Sequence, residues 1–361
     1  MMSFLLRDLG ITIGDITPGE KNGITDVPGV TVGHATLIEG DNIRTGVTAI
    51  IPHDGNLFYE KVPAAAVTIN GFGKAVGLPQ INELGTIETP ILLTNTLNVG
   101  KVSDALVSWV LEHYQLSDRP IHSINPVVAE CNDSYLNDIQ ARAIEHDHVF
   151  QALDSASSAS VVEGVVGAGV GMSAFEFKSG IGSASRCVII DGEKYMLGVL
   201  SLPNFGRREE LLIDGVPVGR MLRAYEKDTI SPDEGSIVIV IGTDIPLSHR
   251  QLVRVAKRAA FGIARTGGNC NNGSGEFAIA FSTANKVPDD AKRVFLDERR
   301  LNDAHSAIND IFKATIEAVE ESILSALFAA TTLVGRDGHR RVKIPAQEVM
   351  TLLREQSSID P

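Results

Sequence analysis

The sequence is poor in cysteine, aromatic residues and positive charge. Its three cysteines, Cys131, Cys187 and Cys270, are too few and odd in number for a disulfide framework. The 32 lysines and arginines are outnumbered by 45 aspartates and glutamates, and the net charge of −13 would repel nucleic-acid phosphates. No run reaches the roughly 18 apolar residues of a membrane span, and the start lacks a secretion signal. We therefore expect a cytoplasmic protein without nucleic-acid or membrane partners.

Apolar residues are abundant in the sequence (43%), and its 34 glycines separate short apolar runs. This pattern predicts a folded core with many strands and tight turns. We predict strands over 47–51, 65–69, 90–93, 161–166, 185–190, 194–201, 236–242 and 276–282. Helical spacing predicts helices from an N-cap at Ser103 to His113, and over 248–265, 303–330 and 346–355. Because these elements do not alternate regularly, an α+β fold or a layered αββα architecture fits better than a doubly wound sheet.

Several motifs of well-known enzyme classes are missing. The sequence has no GxSxG, HExxH, CxxC or GxxxxGK[ST]. We interpret His146 and His148 as a surface pair rather than a metal site, and the glycines of 164–172 as turns rather than a dinucleotide loop. The polar stretch 228–235 is predicted to be an exposed connection. We expect no metal and no organic cofactor.

The dipeptide Gly235–Ser236 stands directly before a strongly apolar run. Such a serine is usually just the first residue of a strand. If the Gly235–Ser236 bond were cut, however, Ser236 would gain an α-amine with a pKa of about 7.7–8.0, so that one residue would supply both nucleophile and base. Glycine has no side chain to hinder attack on its carbonyl.

Three further polar positions suit the same chemistry. Ser274 and Glu276 lie two residues apart, so on a strand they share one face and could form a relay, although a turn before a strand is the simpler interpretation. Asn204 is either a turn former or a donor to an oxyanion. Glu130 either ends a strand at the solvent or holds a substrate ammonium group.

The sequence resembles the DmpA-type family of L-aminopeptidase/D-Ala-esterase/amidases and β-peptidyl aminopeptidases, relatives of the ornithine acetyltransferase fold. The resemblance covers nearly the whole chain. It is carried by RDLG near the start, ITDVPGVTVGH, TGVTAIIP, TNTLNVG, PVVAECNDSYLNDI, GVPVG, GSIVIVIGTDIPL, HRQLVRVAKRAAFGIAR, NNGSGE and AFSTAN.

The resemblance implies a four-layer αββα sandwich, formed by residues 1–361 as a single catalytic domain. It implies self-cleavage between Gly235 and Ser236 into an α piece, 1–235, and a β piece, 236–361. The family's roles would then fall on Ser236 as nucleophile, on Ser274, Glu276 and Asn204 as catalytic partners, and on Glu130 as the carboxylate that binds the free amino group. A homo-oligomer, a tetramer of processed units, is also implied.

One position departs from the family pattern. Relatives of the esterase/amidase type have a tyrosine two residues after the carboxylate, where this chain has Asn132. Asn132 either substitutes as a hydrogen-bond donor at the substrate or leaves that role unfilled, and Tyr135 is nearby but out of register.

The predicted function is a self-processing serine aminopeptidase without a cofactor. It would remove N-terminal residues from short peptides, amides or esters through an acyl-enzyme on Ser236, with α-, β- and D-amino acids all open as substrates. One alternative is an acyltransferase of the ornithine acetyltransferase type, although that relative uses threonine as its nucleophile. Another is a non-catalytic protein that binds small molecules.

Overall fold

The structure is a computed structural model that describes residues 6–114, 121–222, 235–289, 292 and 294–357. Of the connection predicted over 228–235, all but Gly235 lies outside the described residues. In chain order, the helices are α1 (Leu78–Leu84), α2 (Val99–His113), α3 (His146–Asp154), α4 (Val218–Met221), α5 (His249–Ala256), α6 (Ala259–Arg265), α7 (Ala307–Phe328) and α8 (Ala346–Ser357).

The strands form two larger sheets and two small hairpins. They are β1 (Thr31–Glu39), β2 (Ile43–Ile51), β3 (Glu60–Gly71), β4 (Thr86–Ile87), β5 (Ile91–Asn95), β6 (Val127–Cys131), β7 (Ser173–Ala174), β8 (Phe177–Lys178), β9 (Gly182–Ile190), β10 (Glu193–Asn204), β11 (Ser236–Thr243), β12 (Gly275–Ser282), β13 (Val287–Pro288), β14 (Leu333–Val334) and β15 (Arg340–Arg341).

The first sheet has the order β1-β2-β5-β6, and the second has the order β13-β3-β12-β11-β10-β9, with β4 also paired to β3. Within these sheets β5–β6 and β11–β12 are parallel pairs, and the other pairs are antiparallel. The strands β11 and β12 therefore lie in the centre of the larger sheet, between β10, the preceding strand, and β3, which comes from much earlier in the chain.

Alternation along β11 explains how the layers form. Ile237 and Ile239 pack into a core with α5, α6 and α7, whereas Val238 and Val240 face the opposite way, into a core shared with the smaller sheet. A third core lies between the other face of the smaller sheet and helices α2 and α3. Because successive side chains of a strand point to opposite faces, a strand covered on both sides is apolar throughout. The predicted α+β fold with αββα layers is confirmed.

Most predicted strands are present, but the one over 161–166 is wrong. This segment forms only an isolated bridge, between Gly164 and Ile181. Gly164 has a φ of +83°, and a Cβ there would lie 2.5 Å from the main-chain oxygen of Ala329. A residue at this positive φ lies outside the extended region, so the strand cannot run through Gly164, and an apolar pattern does not reveal this.

Two predicted helices also differ in detail. Helix α2 begins at Val99 rather than at an N-cap Ser103, whose hydroxyl instead donates to the carbonyl of Val99 inside the helix (2.8 Å). The helix predicted over 248–265 is divided into α5 and α6, and the Arg258 N–H bonds the carbonyl of Val255, three residues back. A bond of this shorter spacing tightens the chain into a turn.

Candidate active site

Ser236 is the first residue of β11 and lies at one end of the larger sheet. The strand registers pair it with Asn204, the last residue of β10, and with Gly275, the first residue of β12. Its side chain is largely buried, with the residue 5% exposed, and its Oγ accepts a hydrogen bond from the main-chain N–H of Asn132 (3.4 Å). Asn132 directly follows β6, so the two sheets meet at this serine.

The side-chain amide of Asn204 is held at both ends. Its Nδ2 donates to the main-chain oxygen of Asn132 (2.9 Å), and its Oδ1 accepts from the main-chain N–H of Ser173 (2.9 Å). An NH₂ group has two donors, and among the residues that the structure describes only one of them has an acceptor. Asn204 is thus oriented beside Ser236, with a donor available to a substrate oxygen.

Ser274 and Glu276 form a buried pair on the other side of Ser236. The Ser274 hydroxyl donates to Glu276 Oε1, and the two residues are each 2% exposed. Burial raises the pKa of Glu276, while the hydrogen bond from Ser274 acts in the opposite direction and is the smaller effect. The pair, on either side of the Gly275 that is in register with Ser236, is thus a hydroxyl tied to a carboxyl group of raised proton affinity.

Asn70 is a supporting residue that sequence reasoning missed. Its Nδ2 donates to the main-chain oxygens of Ser274 and of Asn271, the latter at 2.9 Å, and so holds the turn before β12. Asn70 lies at the end of β3, paired in register with Glu276. No local pattern marks it, because its partners are about 200 residues away in sequence.

A cavity of about 260 Å³ opens beside this group. Its lining includes five of the predicted site residues: Asn132, Asn204, Gly235, Ser274 and Glu276. Its wall also includes Tyr135 and His339, whose rings stack with centroids 4.8 Å apart, and Arg341, whose guanidinium lies 3.6 Å from the centre of the Tyr135 ring. Tyr135 is therefore part of the cavity, although it is three residues beyond Asn132.

Glu130 is not among the residues that line the cavity. It lies near the end of β6, two residues before Asn132, and is 3% exposed. Its Oε1 accepts from the main-chain N–H of Lys74 (3.0 Å), and its Oε2 accepts from the hydroxyl of Thr96. An ammonium group bound to this carboxylate would join two donors that are already present.

The other sequence features lie away from this group. His146 is at the exposed start of α3 and pairs with Asp104 (3.0 Å). The turn Gly167–Gly169 is buried, and a Cβ on Gly167 would lie 2.4 Å from Thr48 Oγ1, so its glycines serve close packing. Within the described ranges, no three metal-ligating side chains cluster together. In that same part of the chain, no helix is long and apolar enough to cross a membrane.

Comparison with known proteins shows which family the chain belongs to. The model of Peptidase family S58 matches residues 22–341. The chain is 39% identical to Beta-peptidyl aminopeptidase BapA of Sphingosinicella microcystinivorans over 371 aligned positions, which cover 97% of this chain and 91% of the relative.

Two solved structures are similar over almost their whole length. A protein from Pyrococcus horikoshii OT3 shares 50% identity with a TM-score of 0.92, covering 98% of this chain and 99% of that one. The L-aminopeptidase D-Ala-esterase/amidase from Ochrobactrum anthropi, described as a variant of the Ntn hydrolase fold, shares 36% identity with a TM-score of 0.92 and the same coverage. The chain is an aminopeptidase with the Ntn hydrolase fold and belongs to peptidase family S58.

Proposed function

We propose that the chain cuts its own Gly235–Ser236 bond, so that one catalytic domain becomes the pieces 1–235 and 236–361. In this step Ser236 Oγ attacks the Gly235 carbonyl carbon, its proton passes to the Ser236 nitrogen, and the peptide C–N bond breaks, which gives an ester and frees the α-amine of Ser236. Water then hydrolyses the ester, which leaves a carboxylate on Gly235 and restores the Ser236 hydroxyl. In support, the Gly235 carbonyl oxygen accepts from the Gly275 N–H (3.2 Å), and a Cβ on Gly235 would lie 3.1 Å from Ser274 Oγ.

In the processed enzyme, Ser236 Oγ attacks the carbonyl of the substrate's first residue. Its own α-amine, with a pKa of about 7.7–8.0, takes the hydroxyl proton and passes it to the leaving amine. The Ser274–Glu276 pair orients the serine and its amine. The remaining Asn204 N–H and the Asn132 N–H stabilise the oxyanion, an effect of roughly 2.7–4 kcal/mol for a single donor. Water then releases the acyl group.

The observation that carries this proposal is the convergence on Ser236. The registers of β10 and β12 put Asn204 and Gly275 on its two sides, and the Asn132 N–H reaches its Oγ at 3.4 Å. A serine that merely started a strand would not need an oriented amide on one side and a buried hydroxyl–carboxyl pair on the other. The reported relatives whose names state an activity are aminopeptidases, so the comparisons give no support to the acyltransferase alternative.

Glu130 would bind the substrate's free amino group, which restricts cleavage to the first residue. The relatives' names point to β-amino acid substrates in one case and to L-residue and D-alanyl substrates in another. We infer that short β-peptides are the preferred substrates, because the relatives so named are 38–39% identical over 96–97% of this chain. A panel of β-alanyl, D-alanyl and L-residue p-nitroanilides tests this preference directly.

The proposal extends to a cytoplasmic homo-oligomer, a tetramer of processed units. Cys131, Cys187 and Cys270 are free, as is typical of a reducing compartment. Val294 and Phe295 are 82% and 89% exposed and offer apolar surface that another copy would cover. Native mass measurement gives the number of processed units directly.

The Ser236→Ala variant tests the nucleophile. We expect a single uncut chain by intact mass and no aminopeptidase activity, because both steps need the same hydroxyl. Ser201→Ala is the matched control, a buried strand serine of β10 whose Oγ has no hydrogen-bond partner within the described residues. It should give two pieces and normal activity. An uncut wild-type chain with full activity would contradict the proposal.

Glu130→Gln tests the amine-binding role. We expect KM for aminoacyl p-nitroanilides to rise on the order of tenfold or more, while hydrolysis of a p-nitrophenyl ester without an amino group changes little. The control is Glu88→Gln, since Glu88 is also buried and accepts a main-chain N–H, from Asn125 (2.8 Å). Equal effects on both substrates would show that Glu130 does not bind the amino group.

A further inference from the structure

Lys178 is a buried cation next to the active site. It is 0% exposed, and its Nζ donates to three main-chain oxygens: those of Gly169 (3.2 Å), Met172 (2.8 Å) and Ser179. Burial lowers the pKa of Lys178 to about 7, whereas three acceptors favour the ammonium form, because only that form has three N–H donors. A charge buried among carbonyl groups is costly to keep, so its position calls for an explanation.

One of these carbonyls belongs to the peptide group that holds Asn204. The Met172 oxygen, which accepts from Lys178, and the Ser173 N–H, which donates to Asn204 Oδ1 (2.9 Å), are the two ends of a single peptide bond. The opposite end of the Asn204 amide donates to the Asn132 oxygen (2.9 Å). Lys178 is thus the first member of a continuous chain of donors that ends at Asn204 Nδ2.

Hydrogen bonds in such a chain polarise one another. A cation at the Met172 oxygen draws electron density from the peptide group, and this makes the Ser173 N–H a stronger donor. A stronger bond at Asn204 Oδ1 in turn makes both Nδ2–H groups more acidic donors. The effect reaches the amide N–H that is free to bind a substrate oxygen.

The local backbone is built to hold this arrangement. Ser173 and Lys178 are directly paired across the hairpin of β7 and β8. The two residues of its turn, Phe175 and Glu176, have φ values of 51° and 61°. Positions with such positive φ values in turns of this kind are normally occupied by asparagine or glycine. Phe175 is fully buried, and its ring meets that of Phe205 edge to face at 5.1 Å. Backbone strain of this kind persists only where the surrounding contacts hold the chain in that conformation.

We propose that Lys178 is a positioning residue for the aminopeptidase reaction, acting through the Met172–Ser173 peptide to orient and polarise the Asn204 amide toward the oxyanion formed at Ser236. This inference rests on the proposed role of Asn204. Lys178 itself touches neither the substrate nor the reacting atoms.

The test compares Lys178→Gln, Asn204→Ala and the double variant. The glutamine keeps hydrogen-bond donors but removes the charge. The substrate is an aminoacyl p-nitroanilide, and kcat is expressed per processed chain. We expect Lys178→Gln to lower kcat about tenfold and to leave KM unchanged. This loss is smaller than the 10²–10³-fold loss of kcat that follows removal of a direct oxyanion donor. In the Asn204→Ala background the same change should have no further effect, because residues that act as a unit are not additive.

Each outcome has one meaning. Normal kcat in folded Lys178→Gln, or an equal tenfold loss in both backgrounds, overturns the inference while leaving the role of Asn204 intact. If Asn204→Ala itself leaves kcat unchanged, the proposed oxyanion role fails, and the inference fails with it. A merely structural lysine would lower the thermal midpoint without lowering kcat per folded chain. Should Lys178→Gln not fold, Lys178→Met removes the charge with an apolar side chain that suits a buried site.

Lys21→Gln is the matched control. The Nζ of Lys21 also donates to main-chain oxygens, those of Thr25 (3.3 Å) and Ser158 (2.6 Å), but neither belongs to a peptide group that bonds Asn204. We expect its kcat to equal that of the wild type. A tenfold loss there would mean that the Lys178 effect is not specific to the donor chain.

Discussion

At Glu276, burial and hydrogen bonding act on one carboxyl group in opposite directions. Burial raises its pKa and outweighs the hydrogen bond that Ser274 donates to it. The Glu276 carboxyl group is therefore protonated at a higher pH than an ordinary glutamate. As the pH falls, Glu276 should lose its charge before an ordinary glutamate does. A carboxyl group tuned in this way, beside the nucleophile, is typical of residues that take part in proton transfer.

Protonation of the Ser236 α-amine should already reduce kcat/KM below about pH 8. We predict a further acid limb from Glu276, at a pH above the usual range of a glutamate, and that Glu276→Gln removes this further limb. The variant should also lower kcat on the order of 100-fold, since the Ser274 hydroxyl loses its anionic partner. The measurement is the pH profile for a p-nitroanilide. Asp244→Asn is the control, because burial raises the pKa of Asp244 too but the residue follows the far end of β11. An unchanged acid limb in Glu276→Gln would show that another group is titrating.

At the scale of the element, two serines near helix starts have opposite structural roles. The Ser248 side chain accepts from the Gln251 N–H (3.4 Å), and the Gln251 side chain accepts from the Ser248 N–H (3.0 Å), which is a capping box for α5. Ser103 lies inside α2 and caps nothing. The capping box is visible in the sequence as S-x-x-Q, whereas the true start of α2 depends on Asn95 and Asn98.

We predict that Ser248→Ala lowers the free energy of unfolding by about 1 kcal/mol, the usual cost of losing an N-cap. Ser103→Ala should leave it unchanged or raise it by roughly 0.5 kcal/mol, since alanine is the better helix former. Denaturant unfolding of both variants, followed by circular dichroism, gives the comparison. Similar losses in the two variants would argue against the capping role of Ser248.

At the scale of the whole molecule, the two proposed pieces share the larger sheet and two of the three cores. Strands β11 and β12 lie between β10 and β3, so the cut would divide this sheet between the pieces, whereas the smaller sheet stays within 1–235. Arg186 of β9 also bonds Glu317 (3.1 Å) and Glu321 (2.8 Å) of α7, and all three side chains are almost fully buried. Removing Glu317 would leave the buried Arg186 with one carboxylate partner instead of two, and breaking a buried ion pair costs on the order of 3–5 kcal/mol.

We predict that the processed pieces elute as one particle under native conditions and separate only in denaturant. Glu317→Ala should lower the denaturant midpoint of that separation strongly. Lys286→Ala should barely change it, because its ion pair with Glu60 (2.7 Å) also joins the two pieces but is exposed, and surface pairs contribute about 0–1 kcal/mol. Pieces that separate freely without denaturant would contradict the shared-sheet account.

The sequence alone determined the layered fold and most central strands, since an unbroken apolar run such as 236–242 reports a strand covered on both faces. It also singled out Ser236, Asn204, Ser274 and Glu276. Only the tertiary structure decided that 161–166 is not a strand, that Glu130 lies outside the cavity lining, and that Lys178 reaches Asn204 through one peptide group. Periodicity is a property of neighbouring residues, whereas these features depend on how closely distant main chains approach one another.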